Sequence, residues 1–199
     1  MVFDKFKEKK RPLKMEEVGQ NVYKFIGISN CYLLDIGEKI LIDSGHENDR
    51  DELIKALEGV VNIDDIDKVI YTHLHYDHIG NFEVFKNSEL LASEKAIKCL
   101  GNDPYGTVLD KNLAQKILKA NLKPVVIDKD LFIIETPGHT KGSICIWYPK
   151  ESILFSGDTI FYKGYGRTDL PTSDSDKFRR SIKKLSRFNI KILCPGHEY

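Results

Sequence analysis

The segment Thr72-His73-Leu74-His75-Tyr76-Asp77-His78-Ile79-Gly80 places three histidines and an aspartate within six consecutive residues. A single histidine is usually an ordinary surface or core residue, but so many titratable groups together cost desolvation free energy unless a cation compensates them. Imidazole nitrogens and carboxylate oxygens are the ligands that zinc and its first-row neighbours take. In an extended segment His73, His75 and Asp77 would share one side, and His78 would project elsewhere. The spacing therefore predicts a centre for two adjacent metal ions.

The residues before this motif predict strands and one helix. Lys68–Thr72 is rich in β-forming residues and leads directly into His73, which puts the histidines at the carboxyl end of a strand, where α/β proteins usually have their sites. Alternating apolar and polar residues predict strands in Asn21–Gly27 and Cys31–Ser44. Asn48–Gly59 has apolar residues at helical spacing and ends on a glycine suited to a C-cap.

The residues after the motif predict a second set of mixed elements. Helices are expected over His78–Phe85, Glu94–Leu100, Asp110–Ala120 and Asp174–Phe188, with a loop at Gly101–Thr107. Strands are expected at Glu89–Ala92, Lys123–Ile127, Leu131–Thr136, Ser143–Tyr148, Ser152–Ser156 and Ile190–Cys194. Both halves mix strands with helices, so the economical architecture is α/β, with two sheets packed between outer helices.

Three further segments place a ligand-type residue after a glycine at the end of a predicted strand. Glycine lets the backbone turn sharply at the sheet edge and brings the following side chain close to an ion. The residues in question are His139, Asp158 and His197. The segments are Thr136-Pro137-Gly138-His139-Thr140, Phe155-Ser156-Gly157-Asp158-Thr159 and Cys194-Pro195-Gly196-His197-Glu198.

Composition restricts the classes of function and partner. Lysine plus arginine and aspartate plus glutamate total 30 each, so the formal net charge is +0 and no basic excess favours nucleic acid. We expect a small-molecule substrate instead.

The four cysteines form no Cys-x-x-Cys pair, which argues against a zinc ribbon or a redox motif. No run approaches the roughly 20 apolar residues of a membrane span and no secretory signal stands at the amino terminus, so we expect a cytoplasmic protein without a membrane partner. The composition leaves the oligomeric state open.

Length and charge predict one domain preceded by a charged arm. The 199 residues are enough for a single substantial core. Lys5–Arg11 is a charge cluster near the amino terminus, and a short terminal charge run is usually a solvated arm. We therefore expect an arm at residues 1–20 and a catalytic domain at residues 21–199.

The motif and the three glycine-led segments resemble the metallo-β-lactamase superfamily, whose signature His-x-His-x-Asp-His stands at His73–His78. The resemblance extends from about Asn30 to His197 and implies an αββα sandwich of two mixed sheets, with a metal cleft at one sheet edge. It implies two metal ions per chain, with Zn²⁺ as the first expectation and Fe or Mn as alternatives. The implied ligands are His73, His75 and His139 for one ion and Asp77, His78 and His197 for the other, with Asp158 bridging both.

Differences within the superfamily narrow the activity that the resemblance implies. Drug-hydrolysing lactamases usually lack a bridging aspartate, whereas this chain has Asp158. Flavodiiron proteins carry a glutamate where this chain has His75, and superfamily nucleases generally carry a large inserted domain or a basic exosite. Two segments resemble the corresponding segments of glyoxalase II-like hydrolases and of their relatives, the persulfide dioxygenases. They are Phe155–Phe161 and Gly164–Pro171.

The expected function is therefore a binuclear hydrolase of thioesters or related acyl substrates. Two cations lower the pKa of a shared water, so a bridging hydroxide is available as the nucleophile near neutral pH. One metal stabilises the developing oxyanion, and a thiolate leaving group needs little protonation. Asp158 would set the metal separation, and Asp77 would orient the water or accept its proton. The alternatives are an iron-dependent persulfide dioxygenase, phosphodiesterase chemistry and a non-enzymatic metal-bearing module; structural zinc sites are normally closed four-ligand cages, which disfavours the last.

Three further residues are expected to support the site. Asp43 is either the hydrogen-bond partner of a ligand histidine or a residue that stabilises a turn. Tyr165 and Arg167 stand in the glycine-rich segment Tyr162–Pro171, which leaves the metal cleft as a loop and would present an aromatic face and a cation to a substrate's anionic tail. The alternative for Arg167 is an ion pair with Asp169 that holds the loop closed.

Overall fold

The first of two stacked β-sheets is built mainly from the amino-terminal half of the chain. The structure is a computed structural model that describes residues 14–126 and 130–199. The strands of this sheet are β1 (Glu16–Gly19), β2 (Val22–Phe25), β3 (Cys31–Asp35), β4 (Lys39–Ile42), β5 (Lys68–Ile70), β6 (Glu89–Ala92) and β7 (Lys123–Pro124). They lie side by side in chain order, antiparallel from β1 to β4 and parallel from β4 to β7.

The second sheet comes from the carboxyl-terminal half. Its strands are β8 (Phe132–Glu135), β9 (Ile144–Tyr148), β10 (Ile153–Gly157) and, after a small hairpin of β11 (Ile160–Phe161) and β12 (Gly164–Tyr165), β13 (Ile192–Pro195). Strands β8, β9 and β10 pair antiparallel, and β13 pairs parallel to β10. Both sheets are therefore mixed, as the family resemblance implies.

The helices cover the outer faces of the two sheets. They are α1 (Arg50–Glu58), α2 (Tyr76–Ile79), α3 (Glu94–Asn102), α4 (Pro104–Val108), α5 (Lys111–Ile117) and α6 (Ser175–Leu185). Across the described ranges, no helix has the length and apolar character needed to cross a bilayer.

The alternation of strand β3 explains the layering. Tyr32 and Leu34 belong to the core between the sheets, where the Tyr32 and Phe155 rings lie 5.3 Å apart. Leu33, one residue further, packs in a separate core with Leu57 of α1, because successive side chains point to opposite faces. A third core joins α6 to the outer face of the second sheet. The order helix, sheet, sheet, helix is the αββα sandwich.

The strand directions bring four loops to one edge of the sandwich. Strands β8, β10 and β13 run the same way, since β8 and β10 each pair antiparallel to β9 and β13 is parallel to β10. Their carboxyl ends therefore meet at one edge of the second sheet. The first sheet contributes the segment after β5, which is joined to the second sheet by a hydrogen bond from Ile144 N to Thr72 O of 2.9 Å.

The predicted arm, residues 1–20, overlaps the first sheet at its end. Glu16 pairs with Lys24 and Glu17 with Tyr23, so the sheet begins before residue 21. Val18 also packs against the core between the sheets, and this contact helps to hold the short strand β1 in place. The rest of the predicted arm, residues 1–13 with Lys5–Arg11, lies outside the described residues.

Two predicted elements after the motif are wrong. The helix expected over His78–Phe85 is instead α2 followed by a separate 3-10 turn at Phe82–Val84. The break falls at Gly80, where an added Cβ would lie 2.5 Å from the backbone nitrogen of Glu47. The loop expected at Gly101–Thr107 contains helix α4, which begins with Asp103 as N-cap and Pro104 in the first turn.

Candidate metal centre

The motif lies where strand β5 gives way to helix α2. His73 and His75 stand in the extended segment between these elements, and α2 begins at Tyr76, so Asp77 and His78 lie on its first turn. Asp77 is therefore helical rather than part of one extended run with the two histidines. The four side chains still converge, because the segments carrying the remaining predicted ligands arrive at the same sheet edge.

The first group of converging atoms consists of three imidazole nitrogens. Nδ1 of His75 lies 3.0 Å from Nε2 of His73 and 3.0 Å from Nε2 of His139. The Nδ1–H of His139 donates to the carbonyl of Arg167 (2.9 Å), so its Nε2 carries a lone pair. Thr72 Oγ1 donates to Asp43 and so accepts from Nδ1 of His73 (3.1 Å), which leaves Nε2 of His73 as a lone pair too.

The second group consists of Asp77, His78 and His197. Nε2 of His197 lies 3.3 Å from Oδ2 of Asp77, and Nε2 of His78 lies 3.9 Å from that oxygen. Each ring is oriented through its other nitrogen: Nδ1 of His78 faces Oδ2 of Asp43 at 2.8 Å, and Nδ1 of His197 donates to the carbonyl of Ile28 at 2.8 Å. Both Nε2 atoms consequently point toward the cluster.

Asp158 lies between the two groups. Its Oδ1 is 3.2 Å from Nε2 of His78, and its Oδ2 is 3.5 Å from Nε2 of His139 and 3.4 Å from Nε2 of His197. The structure thus brings all seven predicted ligand residues together: His73, His75, Asp77, His78, His139, Asp158 and His197.

Burial and charge give the two groups opposite protonation. Burial and the nearby imidazoles lower the pKa of His75 to about 3, and burial lowers the pKa of His139 as well. Burial also acts to lower the pKa of His197, but the hydrogen bonds that its ring donates to Asp158 and Asp77 outweigh burial and raise that pKa to about 9. For Asp158, burial would raise the pKa, yet His78 and His197 hold it well below its usual value. The first group is therefore neutral, and the second combines imidazolium with carboxylate.

The donor set fits metal ions. Nε2 of His73 and Nε2 of His139 both face Nδ1 of His75, and a single ring proton on that nitrogen could satisfy only one of them. At least one close pair of nitrogens is therefore repulsive unless a cation lies between them. Nε2 of His78 and Oδ1 of Asp158 are also buried without a hydrogen-bond partner in the part of the chain that the structure describes. A tetrahedral ion with ligands at about 2.1 Å holds its ligand atoms roughly 3.4 Å apart. The spacings of 3.0 to 3.5 Å around His75 and Asp158 are close to that separation.

A family profile described as the metallo-beta-lactamase superfamily matches residues 26–89 and 125–197, which is more than half of the chain. The chain belongs to the metallo-β-lactamase superfamily. Its members bind divalent metals, in agreement with the histidine and aspartate cluster of this chain.

Relatives within the superfamily include proteins described as hydrolases. The chain is 40% identical over 183 residues to a protein of Methanocaldococcus jannaschii described as a probable metallo-hydrolase, covering 85% of this chain and 87% of that protein. It is 29% identical over 171 residues to an atrochrysone carboxyl ACP thioesterase of Aspergillus fumigatus, covering 85% of this chain and 50% of the thioesterase. The chain is thus a member of a metallo-hydrolase family.

Two solved structures share the fold of this chain. BJP-1, a subclass B3 metallo-β-lactamase of Bradyrhizobium japonicum, superposes with a TM-score of 0.74 at 21% identity, covering 96% of this chain and 80% of that one. TTHA1623, solved in a di-iron-bound form, superposes with a TM-score of 0.69 at 21% identity, covering 88% of this chain and 91% of that one. At such identities the likeness concerns the αββα fold.

Asp43 contacts a histidine of the second group and also stabilises a turn, so both predicted roles occur together. The residue has φ +57° and accepts hydrogen bonds from the backbone N–H and the hydroxyl of Thr72, each at 2.8 Å, as well as facing His78. One carboxylate therefore orients two rings of the superfamily motif: His78 directly, and His73 through Thr72.

Several supporting residues were absent from the sequence prediction. Asn30 Nδ2 and Tyr32 OH both donate to the carbonyl of Pro195, at 3.0 and 2.8 Å, and so hold the turn that carries His197. The Ser29 hydroxyl donates to the carbonyl of Asp77. A polar Ser-Asn pair next to a strand is the signal that could have been used, since buried polar residues need partners.

The rim segment after Asp158 contains the two predicted substrate contacts. It is a hairpin and not only a loop, since β12 pairs with β11. Tyr165 is exposed, with its ring 6.4 Å from that of Phe178. Arg167 makes a bidentate pair with Asp169 at 3.0 and 2.9 Å, and both side chains are more than two-thirds exposed. The alternative interpretation of Arg167, an ion pair with Asp169, is the arrangement seen.

Proposed function

We propose that this protein is a binuclear metal-dependent hydrolase of thioesters or related acyl compounds, similar to glyoxalase II. The observation that carries the proposal is the position of Asp158, whose carboxylate lies within 3.5 Å of His139 in the first group and of His78 and His197 in the second. A carboxylate shared in this way suits two neighbouring ions better than one.

The protein's own residues would divide the work. In this proposal His73, His75 and His139 hold one divalent ion, Asp77, His78 and His197 hold the other, and Asp158 joins them. Two such ions, when bound, supply Lewis acidity and make water more acidic. Asp77 is the ligand carboxylate with the more exposed side chain, at 16% against 10% for Asp158. Asp77 is therefore placed to orient an incoming water or to take its proton.

Two features favour a thioester. A relative that aligns with most of this chain is described as an ACP thioesterase. In addition, a thiolate leaves with little need for protonation, so the reaction does not require a separate general acid. We further propose that Tyr165 and Arg167 on the rim contact the acyl part of the substrate, since both side chains are exposed beside the loop that carries His139.

Metal analysis combined with a substrate panel tests the proposal. Protein purified without added metal should bind two ions per chain after reconstitution, with Zn²⁺ the first expectation and Fe or Mn the alternatives. It should hydrolyse thioesters faster than phosphodiesters and should consume no oxygen with a persulfide substrate. Saturation at one ion, or oxygen uptake with a persulfide in place of hydrolysis, would overturn the binuclear hydrolase.

A further inference from the structure

A groove between helices α3 and α6 concentrates positive charge that the composition alone conceals. We call it the basic groove; its volume is about 630 Å³, and its cationic lining residues are Lys95, Lys98, Lys141, Lys177, Arg180 and Lys184. Six of its ten lining residues are cations and none is acidic, although the whole chain has 30 residues of each sign. Such a cavity of one charge sign attracts an oppositely charged ligand.

Four of these six cations have no carboxylate partner in the part of the chain that the structure describes. Lys95 pairs with Glu135 at 2.8 Å, and Lys177 with Asp174 at 2.8 Å, both acids lying outside the lining. Among the ion pairs of residues 14–126 and 130–199, none involves Lys98, Lys141, Arg180 or Lys184. Lys184 donates instead to the backbone carbonyl of Glu135 at 2.6 Å. Cations held close together without counterions repel one another, and a bound polyanion relieves that repulsion.

The basic groove adjoins the loop of the first group of ligand atoms. Pro137 and Lys141, both lining residues, stand two positions either side of His139. Because consecutive Cα atoms are 3.8 Å apart, the Cα of Lys141 lies within about 7.6 Å of the Cα of His139. Ser181 of α6 donates to the carbonyl of Pro137 at 2.8 Å, which fixes the groove wall to this loop. One wall of the groove is therefore the loop that carries His139.

The α3 side of the groove lies outside the ranges that the superfamily profile matches. Lys95 and Lys98 lie between residues 89 and 125, outside the two ranges that the superfamily profile matches. Lys141, Lys177, Arg180 and Lys184 lie inside the second range. The groove therefore joins a helix outside the matched ranges to a loop and a helix within them.

We propose that the basic groove binds the phosphate groups of the substrate's thiol carrier, so that the substrate is an acyl thioester of a small thiol bearing several phosphates. This inference rests on the proposed thioesterase function. Several separated cations match several phosphates, whereas a single carboxylate would occupy only one or two of them. The volume of the groove lies within the range of small-molecule sites, which is about 300 to 1,000 Å³.

A binding experiment tests the groove independently of hydrolysis. Cys99 lines the groove and is partly exposed, while the other three cysteines of the chain are buried. Alkylation by a neutral maleimide therefore reports on the groove. Coenzyme A, pre-treated so that its thiol is blocked, should slow alkylation of Cys99 in the reconstituted protein. In the variant Lys98→Ala/Lys141→Ala/Arg180→Ala, the concentration needed for half protection should rise about tenfold or more.

A charge-matched variant controls for loss of net charge. The control variant Lys55→Ala/Lys111→Ala/Lys183→Ala removes three exposed lysines outside the groove. Blocked coenzyme A should protect its Cys99 at the same concentration as in the wild type. With acetyl-coenzyme A the groove variant should show a raised KM. Its loss of kcat/KM should be much smaller with the acetyl thioester of N-acetylcysteamine, which has the same reacting bond and no phosphate.

The possible outcomes separate this inference from the proposed function. Protection by blocked coenzyme A without hydrolysis of any thioester would keep the phosphate site and overturn the thioesterase. If blocked coenzyme A protects Cys99 equally well in both triple variants, the groove is not the phosphate site, whatever the hydrolytic activity. Protection by a short oligonucleotide or by an acidic carrier protein, with none by coenzyme A, would also overturn it, because the occupant would then be a macromolecule.

Discussion

At the scale of single residues, Asp158 is the side chain on which both proposed ions depend. It is buried, and it lies within 3.5 Å of histidines from both groups. We expect Asp158→Ala to reduce thioester hydrolysis by about 10²- to 10³-fold and to leave fewer than two metal ions per chain after dialysis, because the shared negative charge is lost. Turnover and metal content measured on the same preparation check both effects.

Cys31→Ala is the matched control for that variant. Cys31 is buried in the core between the first sheet and its helices and belongs to neither group of ligand atoms. Its replacement should cost roughly 1 kcal/mol of unfolding free energy and leave turnover per folded molecule unchanged. Full activity of metal-replete Asp158→Ala would show that this carboxylate does not join the ions.

Arg167 has two parts with separable roles. Its backbone carbonyl accepts from His139, whereas its guanidinium pairs with Asp169 at the surface. Since Arg167→Ala retains the carbonyl and removes only an exposed pair, the melting temperature should stay close to that of the wild type. If the guanidinium contacts the acyl group, KM should rise for an acyl thioester carrying a carboxylate and stay constant for a neutral acyl thioester on the same thiol. Equal KM changes for the two acyl groups would exclude that contact.

The convergence of the ligand residues was predictable from the sequence, but the orientation of their rings was not. The sequence places histidines at two-residue spacing after one strand and Gly-His or Gly-Asp pairs after others. Such a pattern has few explanations other than a metal site. The rings of His139 and His197, however, are oriented by the backbone carbonyls of Arg167 and Ile28. Every residue has such a carbonyl, so no residue type in the sequence could indicate these partners.

At the scale of elements, the turn after strand β8 depends on Gly138. This glycine has φ +152°, and an added Cβ would lie 2.4 Å from the Cα of Phe178 in α6. We expect Gly138→Ala to lower the unfolding free energy by about 3 kcal/mol or more, and to weaken metal binding, because the loop carrying His139 must move away from α6. Thermal unfolding and metal content are the measurements.

Gly37→Ala separates local strain from that clash. Gly37 also has positive φ, at +103°, but its Cβ would meet no atom within 4 Å. This variant should lose only about 1 kcal/mol of unfolding free energy and should keep the metal content of the wild type. Similar losses in the two glycine variants would mean that conformational strain alone, and not contact with α6, accounts for the effect.

Local signals predicted most elements and missed those that depend on contacts distant in sequence. The C-cap Gly59 and the alternation in β3 and β4 are local, and α1 and both strands appear as expected. The interruption after α2 depends on Gly80 lying against Glu47, and on the Asn81 amide bonding the carbonyls of Ser44 and His46. That packing comes from another part of the chain, so the helical pattern alone could not reveal it.

At the scale of the whole molecule, the layers could be predicted but the pairing of strands could not. A mixture of short strands and helices implies a sandwich of two sheets between helices. The order of the first sheet, and its change from antiparallel to parallel at β4, arise from long-range pairing that leaves no local signature. Both proposed ions lie at the edge where the sheets meet, so residues on one sheet set the charge state of residues on the other.

That coupling gives the two ions different dependence on pH. The pKa of His75 is about 3, so no proton competes with an ion at the first group near neutral pH. The pKa of His197 is about 9 in the metal-free protein, and the carboxylates of Asp158 and Asp43 raise the pKa of His78 well above its usual value despite its burial. A cation at the second group must therefore displace at least one proton below about pH 9. The apparent affinity of the second group should fall at least about tenfold for each pH unit below 9, and that of the first group should not.

Dialysis of the reconstituted protein against metal-free buffers tests this difference directly. Lowering the pH from about 8 to about 6 costs the second group roughly two powers of ten or more in affinity, so the metal content should fall from two ions per chain toward one. The ion that remains should be the one held by His73, His75 and His139. His197→Ala weakens the second group at every pH and should retain about one ion throughout this range. Loss of both ions together from the wild type, or loss of the remaining ion from His197→Ala between about pH 8 and about pH 6, would mean that the two groups of ligand atoms do not bind their ions independently.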